Sequence, residues 1–247
     1  MTRRINLGRS GSISIISLYI PSERKVYLLD IFRLGEKAFS SVDLYGRDYS
    51  LKSILESPTI LKGFFDIRND SDALFSHYGV AVDGIVDIQL MEIATRRNPK
   101  KFLSGLGNCV LRDAVMSPRE KTEWKLVKEN GRRLFAPEAG GRYEVFNERP
   151  MQPIMMKYCA GDLVALPDLF WVYDTKLQRL PGTLWRDRVR DETKKRIEMS
   201  QSPVFDGKSR KMAQGPHGWM NGSERRIMEE QDLRDLVRKF GSGGRII

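Results

Sequence analysis

Residues 62–79 read Lys62-Gly63-Phe64-Phe65-Asp66-Ile67-Arg68-Asn69-Asp70-Ser71-Asp72-Ala73-Leu74-Phe75-Ser76-His77-Tyr78-Gly79, and a change of period inside this run sets the fold class. From Ile60 to Phe65 the chain is apolar on alternate and intervening positions alike, which predicts a strand covered on both faces and central in its sheet. From Asp66 the repeat lengthens to three or four residues (Ile67, Asp70, Leu74, then His77 or Tyr78), which predicts a helix over 66–78 closed by Gly79. A buried strand feeding a helix is the elementary unit of an α/β layer domain.

The flanks extend that reading. Gly11 to Ile20 alternates Ser with Ile and then turns apolar, Pro21 to Arg24 is a turn, and Lys25 to Ile31 is a second strand: an antiparallel hairpin. Leu51 to Glu56 is a short helix that stops before Pro58. Beyond the central run, Val80 to Ile88 is a short strand with Gly84 at its turn, followed by helices over Gln89–Thr95 and Lys101–Val115. Ser117, Pro118 and Glu120 supply an N-cap, an N1 proline and an N3 acid, so a helix starts there and runs to Asn130-Gly131. Pro137 to Arg149, with Gly140-Gly141, reads as loop. Met151 to Leu177 is one long helix with Pro153 in its first turn and Pro167 as a kink or break. A charged helix over Leu184–Met199 follows Pro181-Gly182. Ser200 to Ser223 is rich in Gly, Ser, Pro and Lys and reads as a linker or disordered segment, and Glu224 to Phe240 as a last amphipathic helix.

Composition narrows the function. The 247 residues contain no apolar run near the roughly 20 residues that span a bilayer, and the N-terminus lacks the pattern of a secretory signal. Two cysteines without a CxxC fit a reducing, intracellular setting, nuclear or cytoplasmic. The net charge of +10 points to a polyanion. From Lys176 onward 17 Lys or Arg stand against 10 Asp or Glu, so most of the excess lies in the last third. That tail lacks the aromatic face of a membrane-surface helix, which favours nucleic acid over membrane, with a protein partner as a further use.

Acids dominate the chemistry. Asp66, Asp70 and Asp72 follow the central strand, where α/β sites sit; Asp87 and Glu92 follow the next strand; Tyr158 and Asp162 share one face of the late helix at i, i+4. Converging carboxylates suit Mg²⁺ and the hydrolysis of phosphodiesters, with the phenol positioning water. The plain alternative is a helix N-terminus in which acids complement the dipole and Asn69 or Asp70 is the cap. Gly8-Arg9-Ser10-Gly11-Ser12 precedes a strand and lacks a GK[ST] ending, so it is no phosphate loop. His77 and His217 are too far apart in sequence to argue a Ser-His-Asp arrangement, and Cys159 reads as a small buried residue.

Lys62–Gly79, Asp87-Ile88-Gln89-Leu90 and Arg149-Pro150-Met151 through Tyr158-Cys159-Ala160-Gly161-Asp162, with the hairpin from Leu7 to Ile15, resemble consecutive blocks of the DEDDy 3′–5′ exonucleases. The nearest likeness is to the ribonuclease D-like group and its fungal exonuclease-domain proteins. The resemblance implies a ribonuclease H-like α/β fold, a mixed sheet flanked by helices, over residues 1–180, with residues 181–247 as a basic helical or disordered extension. It implies that Asp70 and Asp162 hold Mg²⁺ or Mn²⁺, that Tyr158 orients the attacking water, and that the ligand is the 3′ end of RNA or single-stranded DNA. It also makes Asp87 structural. The family's first block, an Asp-x-Glu a few residues before Leu7, has no counterpart in Met1-Thr2-Arg3. The expectation is therefore weak metal binding and impaired hydrolysis, explained by a start site chosen too late or by a nucleic-acid-binding module without catalysis. An α/β domain unrelated to nucleic acid is the third reading.

Overall fold

The computed structural model describes residues 2–3, 8–42, 49–97, 99–180, 183–220 and 234. Strand β1 (Thr2–Arg3) pairs antiparallel with β2 (Ile15–Ile20), and β2 pairs with β3 (Lys25–Asp30) so that Ile15 faces Asp30 and Ile20 faces Lys25. The hairpin expected from the alternating Ser-Ile pattern is thus present. Three short helices follow, α1 (Ile31–Leu34), α2 (Lys37–Ser40) and α3 (Leu51–Glu56), the last opened by a reciprocal Ser50–Ser53 capping box. Strand β4 (Lys62–Phe64) pairs in parallel with β5 (Ile85–Asp87), and α4 (Ile67–Tyr78) makes the crossover. Among the described residues β4 pairs with β5 alone, so the central position expected for it is not seen. It is also shorter than its apolar run, because Ile60 and Leu61 stay at the surface, 36% and 67% exposed. Gly79 ends α4 in the left-handed region at φ 58°, its N–H bonding Phe75 O at 2.9 Å, the cap that only glycine adopts without strain.

The helical half contains α5 (Ile88–Thr95), α6 (Leu106–Asp113), α7 (Pro118–Phe135), α8 (Pro153–Gln178) and α9 (Leu184–Gln201). The capping box read at Ser117 is formed: Glu120 N–H donates to Ser117 Oγ, and Ser117 N–H donates back to the Glu120 carboxylate at 2.7 Å. Helix α6 is shorter than expected, since residues 101–103 pair with the chain near Gln214 instead. Pro137–Ala139 and Tyr143–Asn147 form 3-10 turns in the stretch read as loop. Helix α8 is continuous through Pro167. A proline inside a helix costs about 3 kcal/mol, and burial of Leu163, Leu166, Leu169, Tyr173 and Leu177 along one face offsets it.

Apolar side chains gather on two sides of the strands. Phe64 joins Ile13, Ile16, Phe39, Leu55, Ile67 and Leu74 beneath α3 and α4. Its neighbour Phe65 joins Leu90, Ile93, Val110, Leu166 and Leu169 beneath α5, α6 and α8. Phe65 follows the last residue of β4, and this split is the layering expected of helices on both sides of a sheet. Helix α9 contributes to both cores, Val189 to the second and Ile197 to the first.

The segment 200–220, read as a linker, is instead folded onto the body. Leu103 N–H bonds Ala213 O and Gly215 N–H bonds Lys101 O at 2.9 and 2.8 Å, and Trp219 packs edge-on against Trp185 with ring centroids 5.4 Å apart. Its glycines and serines lower chain hydrophobicity without preventing these backbone bonds, and Trp219 and Met220 supply the buried anchors. Of the last expected helix only Arg234 lies among the described residues, and it is helical.

Candidate functional site

The acids after β4 are held by their own neighbours. Asp66 turns the chain from strand to helix with a left-handed φ of 60°, a conformation that Asp tolerates better than most side chains. It serves as the N-cap of α4, the position expected for Asn69 or Asp70, but makes no side-chain capping bond. The caps come from elsewhere: Asp66 N–H and Ile67 N–H donate to the two oxygens of Asp87 at 3.1 and 3.2 Å. Asp87 also accepts Gln89 N–H at 3.0 Å, capping its own helix α5. One fully buried carboxylate therefore serves the starts of two helices.

Each of these carboxylates has a guanidinium. Arg196 of α9 reaches Asp87 Oδ2 at 2.7 Å and Gln89 Oε1 at 3.0 Å. Arg68 bonds Asp66 at 2.6 and 2.7 Å. Burial pulls the Asp66 carboxyl upward, but the bonded Arg68 and the charge of Arg196 prevail and hold it below the usual carboxylate range. Asp72 accepts the Arg9 backbone N–H at 2.8 Å and its Nε at 3.0 Å, while the same guanidinium bonds Ser200 O, Ser202 O and Pro203 O. Asp70 lies between them in the first turn of α4, buried.

The late helix is built differently. Arg149, before the cis Arg149–Pro150 peptide, fixes the approach to α8 by a two-pronged bond to Asp30 at the end of β3, both contacts 2.5 Å. That bond holds the Asp30 carboxyl below its ordinary value. One turn into α8, Tyr158 packs among Phe135 and Phe146, ring centroids 5.1 and 6.5 Å away. Asp162, one turn on and 4% exposed, projects from the same face. Opposite them, α7 presents Lys128. Its ammonium lies 2.8 Å from Asp162 Oδ1 and 3.5 Å from the centre of the Tyr158 ring, a salt bridge and a cation–π contact made by one charge.

Sequence reasoning missed Lys128 and Gly131. Their signal is the α7 stripe Trp124, Lys128, Gly131, Phe135, spaced 4, 3 and 4 along the inward face, with a cation and a bare backbone at positions where apolar side chains are usual. Gly131 also explains why α7 runs past the point where it was expected to stop. A Cβ there would lie 2.4 Å from Tyr158 Cδ2 and 2.6 Å from Cγ, so the helix continues with the ring against its backbone. Gly131→Ala should therefore destabilise the protein by about 1–3 kcal/mol, even though alanine gains about 1 kcal/mol of helix propensity. Urea unfolding checks this, and an alanine variant as stable as the parent would refute the close packing.

The donor set of the described residues does not by itself make a two-metal centre. Such ions need several carboxylate oxygens turned to one point, and among the described residues no group of three or more His, Cys, Asp or Glu is so arranged. At Asp162 an ammonium already claims the oxygen. A divalent ion about 4 Å from that ammonium would be repelled by about 8 kcal/mol at an effective dielectric constant near 20. Of the remaining expectations, Cys159 is buried among Met155 and Tyr158. His77 Nε2 lies 3.3 Å from Gly8 O. No described helix is long and apolar enough to cross a membrane.

The sequence profile of the 3′–5′ exonuclease family matches residues 15–177, and the chain belongs to that family. Among characterised proteins it is similar to piRNA biogenesis protein EXD1 of Mus musculus (28% identity over 152 residues, 58% of this chain and 23% of that protein). It is also similar to EXD1 of Xenopus laevis (24% over 164 residues, 66% of this chain and 34% of that protein). The chain thus spans about a quarter to a third of the length of these relatives. Two Trypanosoma brucei RNase D crystal structures share its fold. One is the complex with RNA U12, with TM-score 0.65 and 21% identity over 84% of this chain and 63% of that one. The other is the GMP complex, with TM-score 0.66 and 23% identity over 88% and 61%. The ribonuclease H-like mixed α/β fold expected from the sequence is the fold observed.

Proposed function

We propose that this chain is an intracellular RNA-binding module with an exonuclease fold, holding single-stranded RNA without hydrolysing it. The observation that carries this reading is the 2.8 Å pairing of Asp162 with Lys128: the carboxylate that metal-dependent hydrolysis would call on already has its cation. The basic surface supports the binding half. Arg186, Arg190 and Lys194 recur at i, i+4 along the exposed face of α9, Arg190 also pairing with Asp187, and a row of cations at this spacing suits successive phosphates. The names of the relatives, a piRNA biogenesis protein and an RNase D solved with RNA, favour RNA over DNA.

The test uses a 5′-labelled single-stranded RNA with Mg²⁺ present, followed by anisotropy and by gel. The expected result is binding that weakens with salt at a log–log slope of about −2 for three phosphate contacts, with the RNA at full length. Reversing the three α9 charges should weaken binding at least about tenfold. The second reading, an Mg²⁺- or Mn²⁺-dependent exonuclease using Asp70, Tyr158 and Asp162, is favoured by the family match. Shortening from the 3′ end that requires Mg²⁺ and is lost in Asp162→Asn would establish it and overturn the first.

A further inference from the structure

We propose that Lys128 is a built-in counter-cation that closes the Tyr158–Asp162 pair to metal ions, so that the pair becomes a cation-binding site once the ammonium is removed. A carboxylate as buried as Asp162 requires a compensating positive charge. Here that charge is covalently attached to α7, and three features fix it in place. The ammonium is 2.8 Å from Asp162 Oδ1. The Tyr158 ring lies beneath it at 3.5 Å, and the ring is itself pressed onto the Gly131 backbone. One turn before Lys128, Trp124 Nε1 donates to Gly161 O at 2.9 Å, which ties α7 to α8 beside the pair. Carboxylate oxygens hold Mg²⁺ or Ca²⁺ at about 2.0–2.6 Å, so an ion on that oxygen would face the like charge of the ammonium. Deleting the ammonium while keeping Asp162 leaves an oxygen ligand, a phenol and a deficit of one positive charge, to which a divalent or trivalent cation is the complement.

The inference rests on the reading of the site as non-hydrolytic, but the two fail separately, since RNA binding plays no part in its test. Full-length Lys128→Gln, which retains a stem over the ring, and Lys128→Ala are compared with the parent and with Lys128→Arg. Each is melted in MnCl₂ against KCl of equal ionic strength, alone and with Asp162→Asn, and each is titrated with Tb³⁺ while tyrosine-sensitised luminescence is followed. The parent and Lys128→Arg should be indifferent to Mn²⁺. Lys128→Gln and Lys128→Ala should gain a saturable response, a rise of about 3 °C in Tm at tenfold excess over the dissociation constant, with Tb³⁺ emission that disappears when Asp162→Asn is added. If a variant is unfolded without metal, recovery of its melting transition in Mn²⁺ is the same result. An Asp162-dependent Mn²⁺ response in the parent would overturn the proposal, as would folded Lys128→Gln and Lys128→Ala proteins with no such response, or unfolded ones that Mn²⁺ does not recover.

Discussion

Asp87→Ala should cost on the order of 5 kcal/mol, enough to lower Tm by about 10–20 °C in a protein of this size. Two effects add. The substitution orphans the backbone N–H groups of Asp66, Ile67 and Gln89, which the carboxylate accepts at 3.1, 3.2 and 3.0 Å, and an unsatisfied buried donor costs about 1–3 kcal/mol. It also deprives Arg196, 3% exposed, of the charge it pairs with at 2.7 Å. Arg196→Met should be milder, at about 3 kcal/mol, because Asp87 keeps its three backbone donors and Asp66 keeps Arg68. Asp87→Asn should be milder than Asp87→Ala, since one amide oxygen still accepts. Guanidinium-chloride unfolding of the three proteins gives the ranking. Equal losses for Asp87→Ala and Arg196→Met would show that the backbone bonds contribute nothing and would sink the account of Asp87 as a shared cap.

The second large effect separates a lysine partner from a metal partner at Asp162. If Lys128 is the resident cation, Asp162→Leu and Lys128→Met should each destabilise by about 3 kcal/mol, since each leaves one buried charge uncompensated. The double variant, with a dry apolar pair between α7 and α8, should return to within about 1 kcal/mol of the parent. The coupling read from that cycle should then exceed about 2 kcal/mol. Had Asp162 been poised for a metal ion, Lys128→Met would be neutral and the two losses would simply add. Urea unfolding in EDTA distinguishes the outcomes.

Local rules carried the sequence reading a long way. The alternation of Ser and Ile from Gly11 gave the hairpin, the lengthened period after Asp66 gave α4, Gly79 gave its end, and Ser117-Pro118-x-Glu120 gave the start of α7. The i, i+4 spacing of Tyr158 and Asp162 was enough to place both on one buried face. What escaped depends on partners far along the chain. Arg9 meets Asp72 across 63 residues and Arg196 meets Asp87 across 109, and no window of periodicity spans such distances. The acids at α4 were legible as a cluster, but whether they faced a metal or a guanidinium depended on Arg9, Arg68 and Arg196, of which two lie on other elements. Lys128 is the intermediate case: its inward position is implied by Trp124 and Gly131, and only its pairing required the fold. The last third misled through composition. Segment 200–220 is rich in residues that favour loops, yet the buried Trp219 and Met220 and the bonds to residues 101–103 and Arg9 dock it.

The bond between Arg196 and Asp87 also has a history written into it. Ribosomes add roughly 5–20 residues per second, so Asp87 emerges some 5–20 seconds before the guanidinium that neutralises it, 109 residues downstream. Through that interval the two helix starts that converge on Asp87 have no neutral core to enter, and the growing chain must keep the carboxylate wet. The second core, which needs α8 and Val189 of α9, cannot close earlier either. These segments are therefore expected to stay open until α9 has been made, and then to shut in one step led from that helix.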